Sequence, residues 1–339
     1  MLDVLVILLL SFIPMLIYAF ALWGLDRYEK EPLLLILLAF GWGAIPSIVL
    51  ALIMQTVLDV PIVAISPNQL TYDLLGSSVI APLTEEGVKA VALIALLLLF
   101  RKEIDSPIDG LIYGGLVGFG FAAVENLFYL YGAYSEGGLG GVFGLAFLRA
   151  GVFGLNHAMY TGFTGLGVAL ALEMRSRYLR PVPVLIGLGI AMATHALHNA
   201  LATFTSVTGA AMLFMAIFAD WFGVLVLLAV ALVAFFLERQ RIAAYAETLV
   251  RSHRIPQAEL EVLTSTFRRR MARLNYLLSG NFTKWQTTNR YHRKVTEAAF
   301  AWHRLSHGDL QSQPRLLQLE QEYMSLRGQL VSGNEIAVK

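Results

Sequence analysis

Two adjacent carboxylates and a lysine interrupt an apolar run at residues 74–100. Glu85 and Lys89 are four residues apart and would share one face of a helix, where they can form an ion pair. Glu86 points about 100° away and needs a different partner. A buried ion pair that fixes helix packing explains Glu85 and Lys89, but it leaves Glu86 without a role. Because charges deep in an apolar segment are costly, we interpret this stretch as the centre of a functional site.

Further polar side chains interrupt other apolar runs at spacings that suit a helix. Glu125 follows a glycine-rich segment, residues 114–120, which would let another helix approach closely. His195 and Asn199 are four residues apart, so they can share a face. Imidazoles and carboxylates are the groups that serve as general acids, general bases and metal ligands. The additional set comprises Glu125, Asn126, Arg149, His157, His195, His198, Asn199 and Asp220.

Some members of this set have simpler explanations. His198 would serve as an interhelical hydrogen-bonding group, and Arg149 would neutralise Glu125 or another carboxylate. Asp220 would lie near a kink or a helix cap. Coincidence is a much poorer explanation for four members taken together, namely Glu86, Glu125, His157 and His195.

The elements that position these groups are predicted from composition. Hydrophobic residues make up 57% of the 339 residues and charged residues 14%, whereas soluble domains are about 45–50% apolar. We therefore expect an all-α, polytopic membrane helix bundle. The first segment lacks a basic flank and a cleavage site, so it is interpreted as a retained span. The seven predicted spans are 3–23, 33–57, 73–100, 108–131, 142–172, 183–205 and 209–237.

Basic residues alternate between the predicted loops. Lys or Arg occurs in the loops near 24–32, 101–107 and 173–182. Neither occurs in the loops near 58–72 and 132–141. Under the positive-inside rule this alternation predicts a multi-pass plasma-membrane protein with its N-terminus outside and its C-terminus in the cytoplasm.

Charge divides the chain into two predicted domains. Residues 1–237 have a net charge of −6, and residues 238–339 have a net charge of +7. The first is predicted to be the transmembrane domain and the second a small, basic, helical cytoplasmic module. The tail suits an anionic membrane face or a cytoplasmic partner, and no nucleic-acid-binding motif is recognised in it. The chain has no cysteine, which excludes disulfides, thiolate metal sites and cysteine nucleophiles.

The predicted orientation places the polar groups at similar depths. At 1.5 Å per residue, Glu86 and His157 lie roughly 20 and 22 Å along their helices from the outer end. Glu125 and His195 lie roughly 9 and 15 Å in. Four spans could therefore converge on one water-filled cavity between the middle of the membrane and its outer leaflet.

Four segments of the chain, taken in order, resemble the signature of the PrsW family of intramembrane proteases. Residues 26–32 are also similar to the first loop of that family, and the resemblance covers roughly residues 15–205. The family is itself similar to the CAAX prenyl endopeptidases and to a subunit of γ-secretase. The segments are Glu85-Glu86-x-x-Lys89, Phe121-Ala-Ala-Val-Glu125-Asn126, Asn156-His157-Ala-Met-Tyr-Thr161 and His195-Ala-Leu-His198-Asn199.

The resemblance implies a function and a set of site residues. It implies cleavage of a membrane-anchored protein, with site-1 cleavage of an anti-sigma factor as the associated signalling step. His198 is not carried over as a family residue. The residues that the resemblance assigns to catalysis are Glu85, Glu86, Glu125, His157, His195 and Asn199.

Peptide hydrolysis needs an activated water, a stabilised oxyanion and an acid for the leaving amine. In one scheme Glu86, unpaired on its own helix, takes the proton from water while Lys89 holds Glu85. His195 and Asn199 would then polarise the carbonyl group.

The other scheme uses a metal ion. His157, His195 and Glu125 are candidate ligands, and zinc suits such a set. The H-E-x-x-H motif of many soluble metalloproteases is absent. The sequence leaves the choice between the schemes open. Supporting roles are assigned to Lys89, Asn126, Arg149 and His198.

Two other classes of function stay open. Carboxylates and histidines within a bundle also form proton or cation pathways, although no inverted repeat of broken helices is visible. A non-catalytic scaffold that binds transmembrane helices is the third interpretation. Glycine-rich spans would also permit oligomers.

Overall fold

The computed structural model describes residues 2–25, 28, 30–100, 106–174 and 176–331. Within these residues every regular element is helical, which confirms the predicted all-α, polytopic class. Short π-helical turns precede or follow several helices, at Gly43–Ser47, Gly76–Ile80 and Phe147–Val152. The α-helices are α1 Leu2–Leu25, α2 Leu33–Trp42, α3 Ile48–Ile65, α4 Gln69–Leu75, α5 Ala81–Leu99, α6 Pro107–Ala146, α7 Asn156–Glu173, α8 Pro181–Thr208, α9 Ala210–Arg251, α10 Gln257–Thr264, α11 Thr266–Leu278, α12 Phe282–Ser306 and α13 Gln313–Val331.

The described part of the chain contains 5 helical segments that are long and apolar enough to cross a bilayer. The predicted count of seven is therefore not confirmed. Two of the predicted spans, 108–131 and 142–172, lie within the helical stretch Pro107–Glu173, whose backbone is non-helical at Gly138, where two helices meet at a kink. A third predicted span, 73–100, contains α5. That helix is not among the 5 segments because three charged residues interrupt its apolar sequence. The 5 segments are Leu2–Leu25, Leu33–Ile65, Pro107–Glu173, Arg177–Thr208 and Ala210–Arg251.

Several segments predicted as loops are helical. The predicted loop 58–72 contains the end of α3 and the start of α4, and most of the predicted loop 132–141 is helical, although it contains the kink at Gly138 where two helices meet. The helical path of α6 is interrupted only at Gly138, whose φ of 59° favours glycine. The last predicted span ends at 237, but α9 continues to Arg251 because the next residues are good helix formers.

Glycines on α6 allow the close helix contact that the sequence predicted. A Cβ atom placed on Gly118 would lie 2.3 Å from the carbonyl oxygen of His157 on α7. One placed on Gly114 would lie 2.5 Å from the carbonyl oxygen of Thr161 on the same helix. Because only glycine leaves this space, α7 can bring His157 directly against α6.

The described residues form two compact units. The membrane unit contains residues up to Leu232, except for those of the segment 27–30. The tail unit contains that segment and the residues from Val233 onwards, so the division lies inside α9.

The tail unit is a helical module with its own apolar core. α10 and α11 are separate helices because the chain turns at Ser265, whose side chain accepts a hydrogen bond from the Arg268 amide and caps α11. α11 ends at Leu278, and Gly280, two residues later, has a φ of 71°. Buried side chains of α9, α12 and α13 make most of the core, and Tyr245 and Tyr323 meet at 3.0 Å between their hydroxyl oxygens.

A residue from the segment after α1 belongs to the tail core. Tyr28 is buried, its ring stacks on Phe235 at 5.5 Å, and its hydroxyl donates to the carbonyl of Thr264. Arg269, which is 1% exposed, lies with its guanidinium carbon 5.1 Å from the centre of the Tyr28 ring. The tail module is thus completed by a segment more than 200 residues earlier in the chain.

We expect the tail to lose stability in mild acid because of His292. Burial, with Arg269 and Arg273 nearby, holds the pKa of His292 well below its usual value of 6.5. Below about pH 6.5 the unfolded chain gains a proton at this position that the folded tail does not bind. The histidine therefore contributes its full stability above pH 6.5, and about 1 kcal/mol of it is lost between pH 7 and 5.5.

Hydrogen exchange of the tail amides against pH would measure this loss. His292→Gln should flatten the pH dependence, whereas His253→Gln, a substitution at an exposed position, should leave it unchanged. An equal pH dependence in the wild type and in His292→Gln would contradict the expectation.

Candidate active site

Lys89 lies at the centre of the predicted site and is fully buried. Its Nζ donates to Glu86 Oε1 at 2.8 Å and lies 3.6 Å from Glu85 Oε2. It also lies 3.1 Å from His157 Nδ1 and 3.7 Å from the centre of the Phe121 ring. One ammonium group thus joins α5 to α6 and α7.

The expected pairing of these groups was partly wrong. We predicted that Lys89 would hold Glu85 and leave Glu86 unpaired. The structure places the lysine closer to Glu86, because a helical separation of three residues is as favourable as one of four. Glu86 also contacts His195 Nδ1 at 3.1 Å and accepts a hydrogen bond from the Thr161 hydroxyl at 3.0 Å.

Glu85 is the less satisfied of the two carboxylates. Its Oε1 accepts a hydrogen bond from Gln55 Nε2 at 3.2 Å. Its Oε2 is buried without a hydrogen-bond partner, at 3.6 Å from the Lys89 ammonium and 4.0 Å from His195 Nε2. A buried carboxylate oxygen in that state calls for an additional donor or cation.

Glu125 contacts the opposite edge of the His157 ring. Glu125 Oε2 lies 2.8 Å from His157 Nε2 and 2.5 Å from Arg149 Nη2. Because the Lys89 ammonium can only donate, His157 Nδ1 accepts its hydrogen bond. His157 Nε2 therefore carries the ring proton and donates a hydrogen bond to Glu125. Arg149 also donates to Asn126 Oδ1 at 2.9 Å, so the arginine neutralises Glu125, as one interpretation of the sequence suggested.

His195 and Asn199 come from α8. The His195 ring stacks on Tyr160 with a centroid distance of 4.7 Å and meets the His157 ring at 5.2 Å. The Asn199 amide donates to the carbonyl of Ser77 at 2.7 Å, in the π-helical turn before α5. One N–H of Asn199 therefore connects two helices.

Most of these groups line a cavity of about 870 Å³, but Glu86 and Lys89 are not among its lining residues. Its walls come from α3, α5, α6, α7 and α8, and both polar and apolar side chains contribute to them. The cavity is large enough for a short peptide segment. The predicted residues that line it are Glu85, Glu125, Asn126, Arg149, His157, His195, His198 and Asn199.

The donor set at the centre fits a metal ion. Ligand atoms of Glu85, Glu86, His157 and His195 all lie within 4.8 Å of one another. Two imidazoles and two carboxylates are a donor set that zinc accepts, and the unsatisfied Glu85 oxygen is available to a cation. Glu125, a predicted ligand, is not in this group and lies behind His157 instead.

Sequence reasoning missed two uncharged partners of the carboxylates. Gln55 donates to Glu85, and Thr161 donates to Glu86. Gln55 is the one amide in the predicted span 33–57, and Thr161 follows His157 by four residues. Both signals were visible, but single polar residues are common in spans.

His198 and Asp220 form a separate group beside this centre. His198 Nδ1 lies 2.7 Å from Asp220 Oδ2, which joins α8 to α9. The interhelical hydrogen bond that we considered for His198 is therefore present. Asp220 is buried within α9 and is not at a helix end.

A buried cluster of carboxylates and histidines inside a polytopic helical bundle defines a membrane protein with a candidate active site. The chain belongs to the PrsW family of intramembrane metalloproteases, whose sequence model matches residues 31–237. The resemblance seen in the four segments is thereby confirmed.

Two curated relatives carry the name Protease PrsW. The chain is 36% identical to the one from Clostridioides difficile (strain 630) over 123 residues, 36% of this chain and 50% of that protein. It is 33% identical to the one from Geobacillus kaustophilus (strain HTA426) over 105 residues, 31% of this chain and 43% of that protein. The chain spans about half the length of the curated relatives it matches. No solved structure gives a significant match.

Proposed function

We propose that this chain is an intramembrane endopeptidase that cleaves a membrane-anchored protein. The observation that carries the proposal is the buried centre where two carboxylates and a lysine of α5 meet two histidines, with Glu85, His157 and His195 also lining a cavity. Such a centre has the groups that peptide hydrolysis needs and is costly to maintain for packing alone. The resemblance to the PrsW family favours an anti-sigma factor as the substrate.

Each group has a role in this proposal. Glu86 takes a proton from the attacking water, and Lys89 balances the carboxylate charge. Glu125 accepts a hydrogen bond from the His157 Nε2–H group and so orients that ring toward Lys89 and Glu86. His195, held between Glu86 and Tyr160, faces the developing charge or the leaving amine.

Zinc is the metal that the donor set would suit. In the alternative, metal-dependent scheme, Glu85, Glu86, His157 and His195 would hold the ion instead of acting directly on water and substrate, and when bound it would polarise the scissile carbonyl and activate water. Glu125 then acts on the metal site through His157, as a carboxylate behind a ligating histidine does.

We expect chain purified in detergent to retain about one zinc ion per molecule, measured by elemental mass spectrometry. The His195→Ala variant should retain much less, because one of four ligands is lost. Glu136→Gln, at an exposed carboxylate outside the cavity, is the matched control. Equal, near-zero metal in all three proteins, before and after incubation with zinc, would favour glutamate-activated water without a metal.

The proposed orientation has the N-terminus outside and the tail in the cytoplasm. The alternation of basic loops supports it. The burial of Tyr28 in the tail core supports a second point, namely that the segment after α1 and the tail lie on one side of the membrane. The cut would then fall near the outer end of the substrate's span.

The absence of native cysteine makes this orientation directly testable. We expect Gln69→Cys, before the third predicted span, to react with a membrane-impermeant maleimide in intact cells. Ser279→Cys, in the tail, should react only after permeabilisation. Both positions are exposed, so accessibility in the fold does not distinguish them. The reverse pattern of labelling would overturn the orientation.

Quantitative membrane proteomics tests the function. A null strain is compared with the same strain that expresses the chain, and ectodomain fragments of single-span proteins are sequenced at their new ends. Fragments that require the chain, cut near the outer end of a span, are the expected result. Fragments cut at the cytoplasmic end would contradict the orientation but would still support peptidase activity. The same set of fragments in both strains under several envelope stresses would contradict the orientation and the activity.

A further inference from the structure

A further buried carboxylate lies beside the active site, on a helix that carries none of the four signature segments. Asp220 belongs to α9 and is 3% exposed. A carboxylate withdrawn from water is stable only with partners that hydrogen-bond to it. Three side chains on two other helices hydrogen-bond to Asp220, namely Asn156, Tyr160 and His198.

Two of the contacts are short. His198 Nδ1 lies 2.7 Å from Asp220 Oδ2, and Asn156 Nδ2 donates to the same oxygen at 2.9 Å. The Tyr160 hydroxyl donates to the other oxygen at 3.5 Å, which is near the limit for a hydrogen bond. The histidine and the asparagine therefore carry most of this connection.

The short contact fixes the tautomer of His198. A carboxylate can only accept, so Nδ1 must carry the proton that it donates to Asp220. The Asn156 amide nitrogen, 3.2 Å from the same Nδ1, then has no acceptor there, and its bond goes to the carboxylate. His198 Nε2 is left as the ring nitrogen not used by Asp220, on a side chain that lines the cavity.

Each partner of Asp220 is placed close to a histidine of the active site. Asn156 begins α7 and immediately precedes His157. The Tyr160 ring stacks on His195 at 4.7 Å and an interplanar angle of 11°. His198 lies one helical turn after His195 on α8. The carboxylate therefore connects α9 to both helices that supply the imidazoles.

We propose that Asp220 is a positioning residue that fixes the His198 tautomer and holds α7 and α8 in the register that brings His157 and His195 together. The effect on cleavage rests on the proposed function, whereas the effect on the histidines does not. Asp220 touches none of the groups at the reacting centre, so it acts only through its partners.

The tautomer can be measured in the whole chain reconstituted in lipid. The chain has 7 histidines, so uniform labelling of histidine with ¹⁵N gives a spectrum simple enough to assign by single substitutions. Solid-state NMR at neutral pH should show a neutral Nδ1–H signal that disappears in His198→Gln. Observation of His198 as the Nε2–H tautomer would overturn the proposal, and this needs no variant of Asp220.

The charge of Asp220 is then removed by Asp220→Asn, which keeps the size of the side chain. The signals of His198, His157 and His195 should all shift, and the thermal midpoint of the chain should stay close to that of the wild type. Asp3→Asn is the matched control, because Asp3 also accepts a tyrosine hydrogen bond, from Tyr134 at 2.8 Å, away from the cavity. Unshifted His157 and His195 signals in Asp220→Asn would overturn the positioning role.

Cleavage provides a second, independent arm. Fragment yield per molecule of chain should fall about 10- to 100-fold in Asp220→Asn. The double variant Asp220→Asn with His198→Gln should give about the same fragment yield as the less active of the two single variants. Both substitutions break the same contact, so their losses should not multiply. Multiplicative losses would indicate separate roles and contradict the proposal. Absence of cleavage by the wild type, with the NMR result as expected, would refute the proposed function but leave the positioning role intact.

Discussion

Glu86→Gln should lower the yield of ectodomain fragments at least about 100-fold at equal chain abundance, because a general base contributes that much or more. Glutamine keeps the size of the side chain but cannot take a proton from water. Glu86 is fully buried and contacts Lys89, His195 and Thr161, so its carboxylate is fixed relative to the other groups. Within the described site, no other carboxylate contacts Lys89, His195 and Thr161 together.

The matched control for this substitution is Glu136→Gln. Glu136 is an exposed glutamate of α6 and does not line the cavity. It should support wild-type fragment yields, which separates loss of one carboxylate from general effects of a charge change. Complementation of the null phenotype is scored in parallel with the fragments.

The outcomes discriminate between the three classes of function. If Glu86→Gln loses fragment production and also fails to complement the null phenotype, the result supports a peptidase. Equal fragments together with full complementation by Glu86→Gln would favour a scaffold that binds transmembrane helices. Equal fragments without complementation would favour transport or another use of the carboxylate.

The convergence of the site could be predicted from the depths of its groups in the predicted spans, whereas its internal pairing could not. The predicted orientation placed Glu86, His157 and His195 between the middle of the membrane and its outer leaflet, so they were expected to meet. Whether Lys89 turns toward Glu85 or Glu86 depends on the neighbouring helices, which supply His157 on one side and Gln55 on the other. Sequence spacing alone is neutral between these two pairings.

The limits of the helices were the least predictable part of the fold. Apolar composition marks the part of α9 that can cross a membrane, but the helix continues because its next residues also favour helix. Gly138 divides α6 into two helices that pack on each other, since Leu130 and Val142 share one buried cluster and Arg149 donates to Glu125. Asp220 was likewise unassigned by the sequence, because its partners lie on α7 and α8 and follow only from packing.

Lys89→Met should destabilise the membrane unit by about 3 kcal/mol or more, because it leaves two carboxylates buried without their cation. Lys89 is fully buried and lies 2.8 and 3.6 Å from the oxygens of Glu86 and Glu85. Methionine fills a similar volume and keeps contact with Phe121, so the loss reports the charge. Unfolding in mixed micelles of detergent and denaturing surfactant would measure the difference.

A second substitution separates charge from packing. Glu86→Gln removes one of the two carboxylates that Lys89 neutralises, and Glu85 still pairs with the lysine. The double variant Lys89→Met with Glu86→Gln should therefore be more stable than Lys89→Met alone, with a coupling of about 1 kcal/mol or more. Additive losses would mean that Lys89 stabilises the bundle by packing, and the centre would then lose its electrostatic rationale. A positive coupling instead means that the carboxylates require a cation, the same requirement that a bound metal ion would meet.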